Sequence, residues 1–216
     1  MLIGESPDCE NCTFPVCNIL DSCTKTTKYA VGKWLGDGAD FTIVDTPGLG
    51  DSDSDVNEII GDILTSLIGV IEGANGIMLL VNGSGSMRLD PSLVQMLMEM
   101  QILFGNFWKN TIIGVSFWSY DVLSVAKRNH SGENEEWFLA EWNALLQEKL
   151  HLDIELQGVF IDAWSQQPWN VDDQDQQEAF ERETTKLWEF SSQNEMFQFR
   201  TIEARDRKWD FKFSMH

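Results

Sequence analysis

Basic residues are scarce in this 216-residue chain: 15 Lys and Arg stand against 35 Asp and Glu, a formal net charge of -20. So acidic a chain repels nucleic acid and anionic lipid surfaces, so neither is expected as a non-specific partner. One phosphate ligand remains compatible with it, because backbone amides and a divalent cation reverse the field locally. Histidine is nearly absent, and His130, His151 and His216 are too scattered to be assigned chemistry. Cysteine is confined to Cys9, Cys12, Cys17 and Cys23. Cys9 and Cys12 have the spacing of a zinc-ligand pair, but the other gaps fit zinc less well; the competing reading is free thiols in a reducing cytosol. Long apolar runs are also missing. The most apolar region, 63–81, is interrupted by Glu72, Asn75 and glycines, which excludes a membrane span there. Met1-Leu2-Ile3 is too short, and lacks the basic flank, for a secretory leader. The expectation is a chain without a membrane segment, in the cytoplasm.

What is present is core material. Hydrophobic residues make up 43% of the chain, with 13 Phe and 9 Trp to supply large apolar faces. Residues 22–31 alternate roughly, and Asp37-Gly38 marks a turn before Phe41-Thr42-Ile43-Val44, so a hairpin is expected. From Val56 onward Ile59, Ile60, Ile63, Leu64 and Leu67 recur at helical steps. Ile77-Met78-Leu79-Leu80-Val81 is a continuous apolar run of the kind found in a buried parallel strand. Asp90-Pro91 opens a helix, with Asp90 as cap. Strands are expected at 111–117 and 158–161, and helices at 135–150 and 176–190. Strands alternating with helices predict an α/β fold with a mostly parallel sheet covered on both faces. After Asn194 no period is visible, so residues 1–195 read as one domain and 196–216 as a C-terminal tail.

In a parallel sheet, ligands meet the carboxyl ends of the strands. The segment Phe41-Thr42-Ile43-Val44-Asp45-Thr46-Pro47-Gly48-Leu49 fits that rule. An apolar strand delivers the Asp45 carboxylate, which can hold Mg²⁺ through water. The turn Thr46-Pro47-Gly48 then presents a backbone amide that no side chain shields from a γ-phosphate. The competing reading is a capped turn, but an apolar strand running into Asp-Thr-Pro-Gly-Leu is far more specific than a lone Asp-x-x-Gly.

With Leu2-Ile3-Gly4-Glu5, Phe14, Ser22-Cys23-Thr24-Lys25-Thr26-Thr27 and Trp34, this motif resembles the immunity-associated GTPase family. The likeness continues through 76–81 and the strand ending at Phe117, covering most of the chain. It implies a P-loop NTPase-like three-layer sandwich that binds GTP with Mg²⁺ and self-associates through its G domain. Carried over by position, Thr24 is the switch threonine that meets Mg²⁺ beside Asp45, with Thr26 as the alternative register. A solvent-facing strand hydroxyl is the competing reading for both. Asp121 falls where the family's carboxylate accepts from guanine. The usual polar partners before it are replaced by Trp118 and Ser119, so Trp118 either stacks on the base or is a buried aromatic. Ala163, in Asp162-Ala163-Trp164, falls in the second base-contact loop. Leu49 stands where many GTPases carry a water-orienting Gln, implying slow unaided hydrolysis.

No Gly-x-x-x-x-Gly-Lys-Ser/Thr occurs in the sequence. In the family, that loop, its strand and most of the next helix precede an Ile-Gly-Glu like Ile3-Gly4-Glu5, so the first strand and P-loop are expected to be lacking. That strand is central in the fold. Strands 41–44 and 77–81 are then expected either to pair directly or to leave backbone and apolar faces open. The functional expectation is a GTP-binding switch or scaffold whose phosphate grip is largely missing. The alternatives are a nucleotide-free interaction module and, more weakly, a zinc-binding adaptor.

Overall fold

The computed structural model describes Thr24 and residues 26–48, 56–70, 73–84, 89–162 and 174–199. It opens with an antiparallel hairpin of β1 (Lys28–Lys33) and β2 (Asp40–Asp45), in register from Lys28 opposite Asp45 to Lys33 opposite Asp40. Of the expected strand over 22–31, the described part begins only at Lys28. The turn closes as Trp34 N donates to Ala39 O (2.9 Å) and Gly38 N to Trp34 O (2.8 Å). A Cβ at Gly38 would lie 2.6 Å from Trp34 O, so this turn requires glycine.

After α1 (Val56–Val70) and the two-residue β3 (Gly73–Ala74), the chain enters a three-stranded parallel sheet. Its strands are β4 (Ile77–Asn82), β5 (Thr111–Ser116) and β6 (Gly158–Ile161), in that order. The connection from β4 to β5 carries α2 (Pro91–Phe104); that from β5 to β6 carries α3 (Val122–Ser131) and α4 (Glu135–Leu150). α5 (Gln174–Gln193) follows β6, and β7 (Phe197–Gln198) pairs back onto β3. The packed chain runs past residue 195: Phe199 is buried, and its ring meets Phe104 edge-on at 5.0 Å. The described strands therefore form three sheets, of which only the central one is parallel.

α3 is the element that the sequence expectation omits. None of its residues is buried, and its apolar residues, Val122, Leu123, Val125 and Ala126, are confined to its first half. Its signals are terminal: Asp121 caps its start, and Gly132 ends it in the left-handed region at φ 77°. α2 begins as expected, with the Asp90 carboxylate accepting from Ser92 N at 2.7 Å.

Side-chain alternation along the sheet feeds two cores. One face carries Leu79, Val81, Ile113, Val115 and Phe160 into a large cluster with apolar residues of α1, α2 and α4. The opposite face carries Ile112 and Val159 against Leu187 of α5, flanked by Met78, Ile161, Phe190 and Trp34. Full burial of each such side chain contributes ~1.5–3 kcal/mol. Trp34 also joins the hairpin to α5, its ring 5.3 Å from Phe41 and 5.1 Å from Trp188.

The two edges of the parallel sheet differ. On β6, Phe160 N donates to the buried Glu183 carboxylate of α5 at 3.0 Å, and Arg182 Nε donates to the same carboxylate at 2.9 Å. On β4, no described strand pairs with the outer edge, because β2 belongs to a separate sheet. Among the described residues β2 and β4 thus do not pair, and Leu80 in mid-strand is 62% exposed.

Two predictions follow from these edges. Glu183→Ala leaves the Phe160 amide buried without its acceptor, and is expected to cost ~1–3 kcal/mol in urea unfolding. Glu183→Gln, which keeps an acceptor, is expected to cost less. An apolar edge without charge templates edge-to-edge pairing. Leu80→Lys is therefore expected to reduce concentration-dependent association in sedimentation velocity; unchanged association would locate the contact elsewhere.

Candidate functional site

At the carboxyl end of β2 the structure brings together two residues 21 positions apart: the Thr24 hydroxyl donates to Asp45 Oδ2 at 2.8 Å. Both are partly buried, whereas Thr26 faces solvent. The geometry therefore favours the Thr24 register over Thr26. Thr46 and Gly48 are exposed and Pro47 is buried between them. A Cβ at Gly48 would meet nothing within 4 Å, so the space before its backbone is open. Hydroxyl and carboxylate oxygens are the hard donors that suit Mg²⁺, which takes few protein ligands and keeps several waters. Among the described residues no group of three or more His, Cys, Asp or Glu could hold a metal, so any cation here would rely on such a sparse set. Leu49, Ala163 and the four cysteines lie outside the described residues.

The second site segment follows β5. Ser116 fixes the strand end: its Oγ donates to Val81 O at 3.1 Å and its carbonyl accepts from Gly83 N at 2.8 Å. Trp118 then turns inward. It is 3% exposed, 4.8 Å from the Phe160 ring and 5.1 Å from Phe138. Of its two sequence readings, the buried aromatic is the one realised. The Arg128 guanidinium lies 4.4 Å from the Trp118 ring centroid and donates to Ser119 O at 2.6 Å. Burial lowers the Arg128 pKa from its ordinary value, and nearby Tyr120, Glu135 and Asp121 oppose that shift. Tyr120 donates to Glu135 at 2.8 Å. Burial first, and then Glu135, push the phenol above its ordinary pKa, so it stays protonated.

Asp121 caps α3. Its Oδ1 accepts from Leu123 N (2.9 Å) and Ser124 N (3.0 Å), and its Oδ2 accepts from the Ser119 hydroxyl at 2.7 Å. The hydrogen bonds from Ser124 and Ser119 pull its pKa down to about 2. A carboxylate offers about four lone-pair positions, so this one keeps acceptor capacity towards solvent. Asp162, after β6, is buried.

Phe117 went unmarked by the sequence reading, which placed it at the end of the strand. Its backbone is left-handed at φ 56° and its side chain is 67% exposed. Neither property leaves a trace in composition or period. Just after the Asp121 cap, Val122 and Leu123 are 75% and 81% exposed.

No family model matches the chain, and no curated protein matches it. Among the described residues no helix is long and apolar enough to cross a membrane.

The Asp121 cap gives a pH prediction. The folded pKa lies below the unfolded value of about 3.9, so its stabilisation is present above that value and lost as pH falls towards about 2. Asp121→Ala is expected to cost ~1 kcal/mol at neutral pH in chemical unfolding. Asp121→Asn, which still caps, is expected to cost little. The gap between wild type and Asp121→Ala should close as pH falls below about 4, and a pH-independent gap would refute the assignment.

Proposed function

We propose that this chain is a guanine-nucleotide-binding G domain of the immunity-associated GTPase type. In this reading its parallel sheet and flanking helices belong to a P-loop NTPase-like three-layer sandwich. The observation that carries it is the contact between Thr24 and Asp45 at the carboxyl end of β2. They come from the two arms of the hairpin, Thr24 just beyond the pair of Lys28 with Asp45.

The residues divide the work. Thr24 supplies a neutral hydroxyl oxygen and Asp45 an anionic one for a hydrated Mg²⁺, which would neutralise phosphate charge when bound. Gly48, in open space, offers its amide to a γ-phosphate. Asp121 accepts from the ring and exocyclic nitrogens of guanine. One such bond uses its spare capacity, and a second is available when the Ser119 hydroxyl rotates away. The function is that of a switch or scaffold with slow hydrolysis, because Leu49 stands where many GTPases carry a water-orienting Gln.

A second reading, a nucleotide-free interaction module, is favoured by Trp118. This residue packs inward where the resembling family presents a polar base contact.

Titration with fluorescent GTP and Mg²⁺, against the matching ATP analogue, separates the two. Saturable binding that favours GTP is expected under the first reading, and none under the second. Asp45→Ala is expected to weaken Mg²⁺-dependent binding about 10- to 100-fold, with Thr24→Ala changing it in the same direction. Equal binding with and without Mg²⁺ would remove the cation role from both residues.

A further inference from the structure

We infer that Phe117, rather than Trp118, is the ring on which the nucleotide base stacks, in line with the Asp121 carboxylate. This inference rests on the nucleotide-binding reading above and adds to it a base-contact residue.

The loop from 117 to 121 has a sharp division of labour. Trp118 is committed to the core, between Phe160, Phe138 and the Arg128 guanidinium. The Ser119 carbonyl is held by Arg128, the Tyr120 hydroxyl by Glu135, and Asp121 caps the following helix. Four consecutive residues are thus fixed by partners. Phe117 alone projects outward, 67% exposed, from a backbone at φ 56° that L side chains rarely adopt. The left-handed residue reverses the side-chain direction, so that position 118 points into the core and position 117 away from it.

Glycine would meet that backbone requirement without strain. An exposed phenylalanine there adds backbone strain that no burial of its ring offsets. Strained, exposed residues held by over-determined surroundings cluster at ligand sites. The position suits a base: the ring stands at the carboxyl end of the central strand of a parallel sheet, where ligands bind. Four residues on, Asp121 supplies an acceptor for the base edge. A flat heterocycle with N–H groups on its edge uses both features at once: ring on face, carboxylate on edge. A bare phosphate or an aliphatic ligand would use only one.

Stacking and edge recognition leave different signatures. An aromatic platform accepts every base, because every base has a π-face. A carboxylate discriminates by the donors on the base edge. The experiment compares GDP with inosine diphosphate, which lacks the exocyclic amine, by ligand-observed NMR titration in Mg²⁺, together with thermal melts of each variant. Phe117→Gly is expected to weaken both diphosphates by the same factor, at least about fivefold. It should leave the melting temperature unchanged or raised, because glycine relaxes the backbone. Phe117→Trp is expected to restore affinity. Asp121→Asn, by contrast, should narrow the preference for GDP over inosine diphosphate.

Unchanged affinity in Phe117→Gly would overturn the role of the ring. A lowered melting temperature would overturn it too, by showing that the ring packs for stability. If the unsubstituted chain binds neither diphosphate, the nucleotide-binding reading itself fails, and the platform with it.

Discussion

The register of β4 on β5, with Ile77 opposite Thr111 and Asn82 opposite Ser116, is the constraint on which the rest depends. A slip of one residue would exchange the two faces of β4. Ile113 and Val115 point into one core and Ile112 into the other, and residues 111–115 are buried throughout. Gly114 belongs to this arrangement. A Cβ there would lie 2.5 Å from Met78 Sδ, so the small residue leaves room for side chains of the neighbouring strand to lie across β5. Because the strand is clamped from both sides, its carboxyl end is a fixed point. The loop beginning at Phe117 is built from it.

The two edges of this sheet receive opposite treatment. α5 lays a buried carboxylate against the outer edge of β6, where Glu183 accepts from Phe160 N, while Leu80 on β4 stays exposed. Edge strands are commonly protected by charge, proline or a covering element. The β4 sequence Ile-Met-Leu-Leu-Val-Asn carries no charge and no proline. A strand of this composition is suited to pairing on both sides, as in the interior of a parallel sheet. The formal net charge of -20 opposes association between copies at long range, but salt screens it beyond a Debye length of ~8–10 Å. Local edge chemistry therefore retains its influence at contact.

The loop after β5 shows how one segment can be both rigid and available. Arg128 fixes it twice, by cation–π contact with Trp118 and by a hydrogen bond to the Ser119 carbonyl. Tyr120 ties it to Glu135 at the start of α4, and the Arg182 guanidinium lies 5.2 Å from the Tyr120 ring. Helices α3, α4 and α5 thus all contribute a side chain that holds part of residues 118–120. Such support lets the neighbouring Phe117 keep an unfavourable backbone angle. A side chain locked in this way presents its free surface at little further entropic cost.

Local chemistry determined a good part of this protein from the sequence alone. The helices at 135–150 and around 176–190, the strands at 77–81 and 158–161 and the Asp90 cap are legible because period, cap and turn residues agree over short range. α3 was not, because its apolar residues span little more than one turn. The hydrogen bond from Thr24 to Asp45 was beyond the sequence, since linear spacing does not show which threonine of the run lies beside that carboxylate. The inward turn of Trp118, the outward turn of Phe117 and the open edge of β4 were likewise decided by tertiary structure. Each depends on which groups from distant segments occupy the adjoining space, and linear spacing carries no record of that.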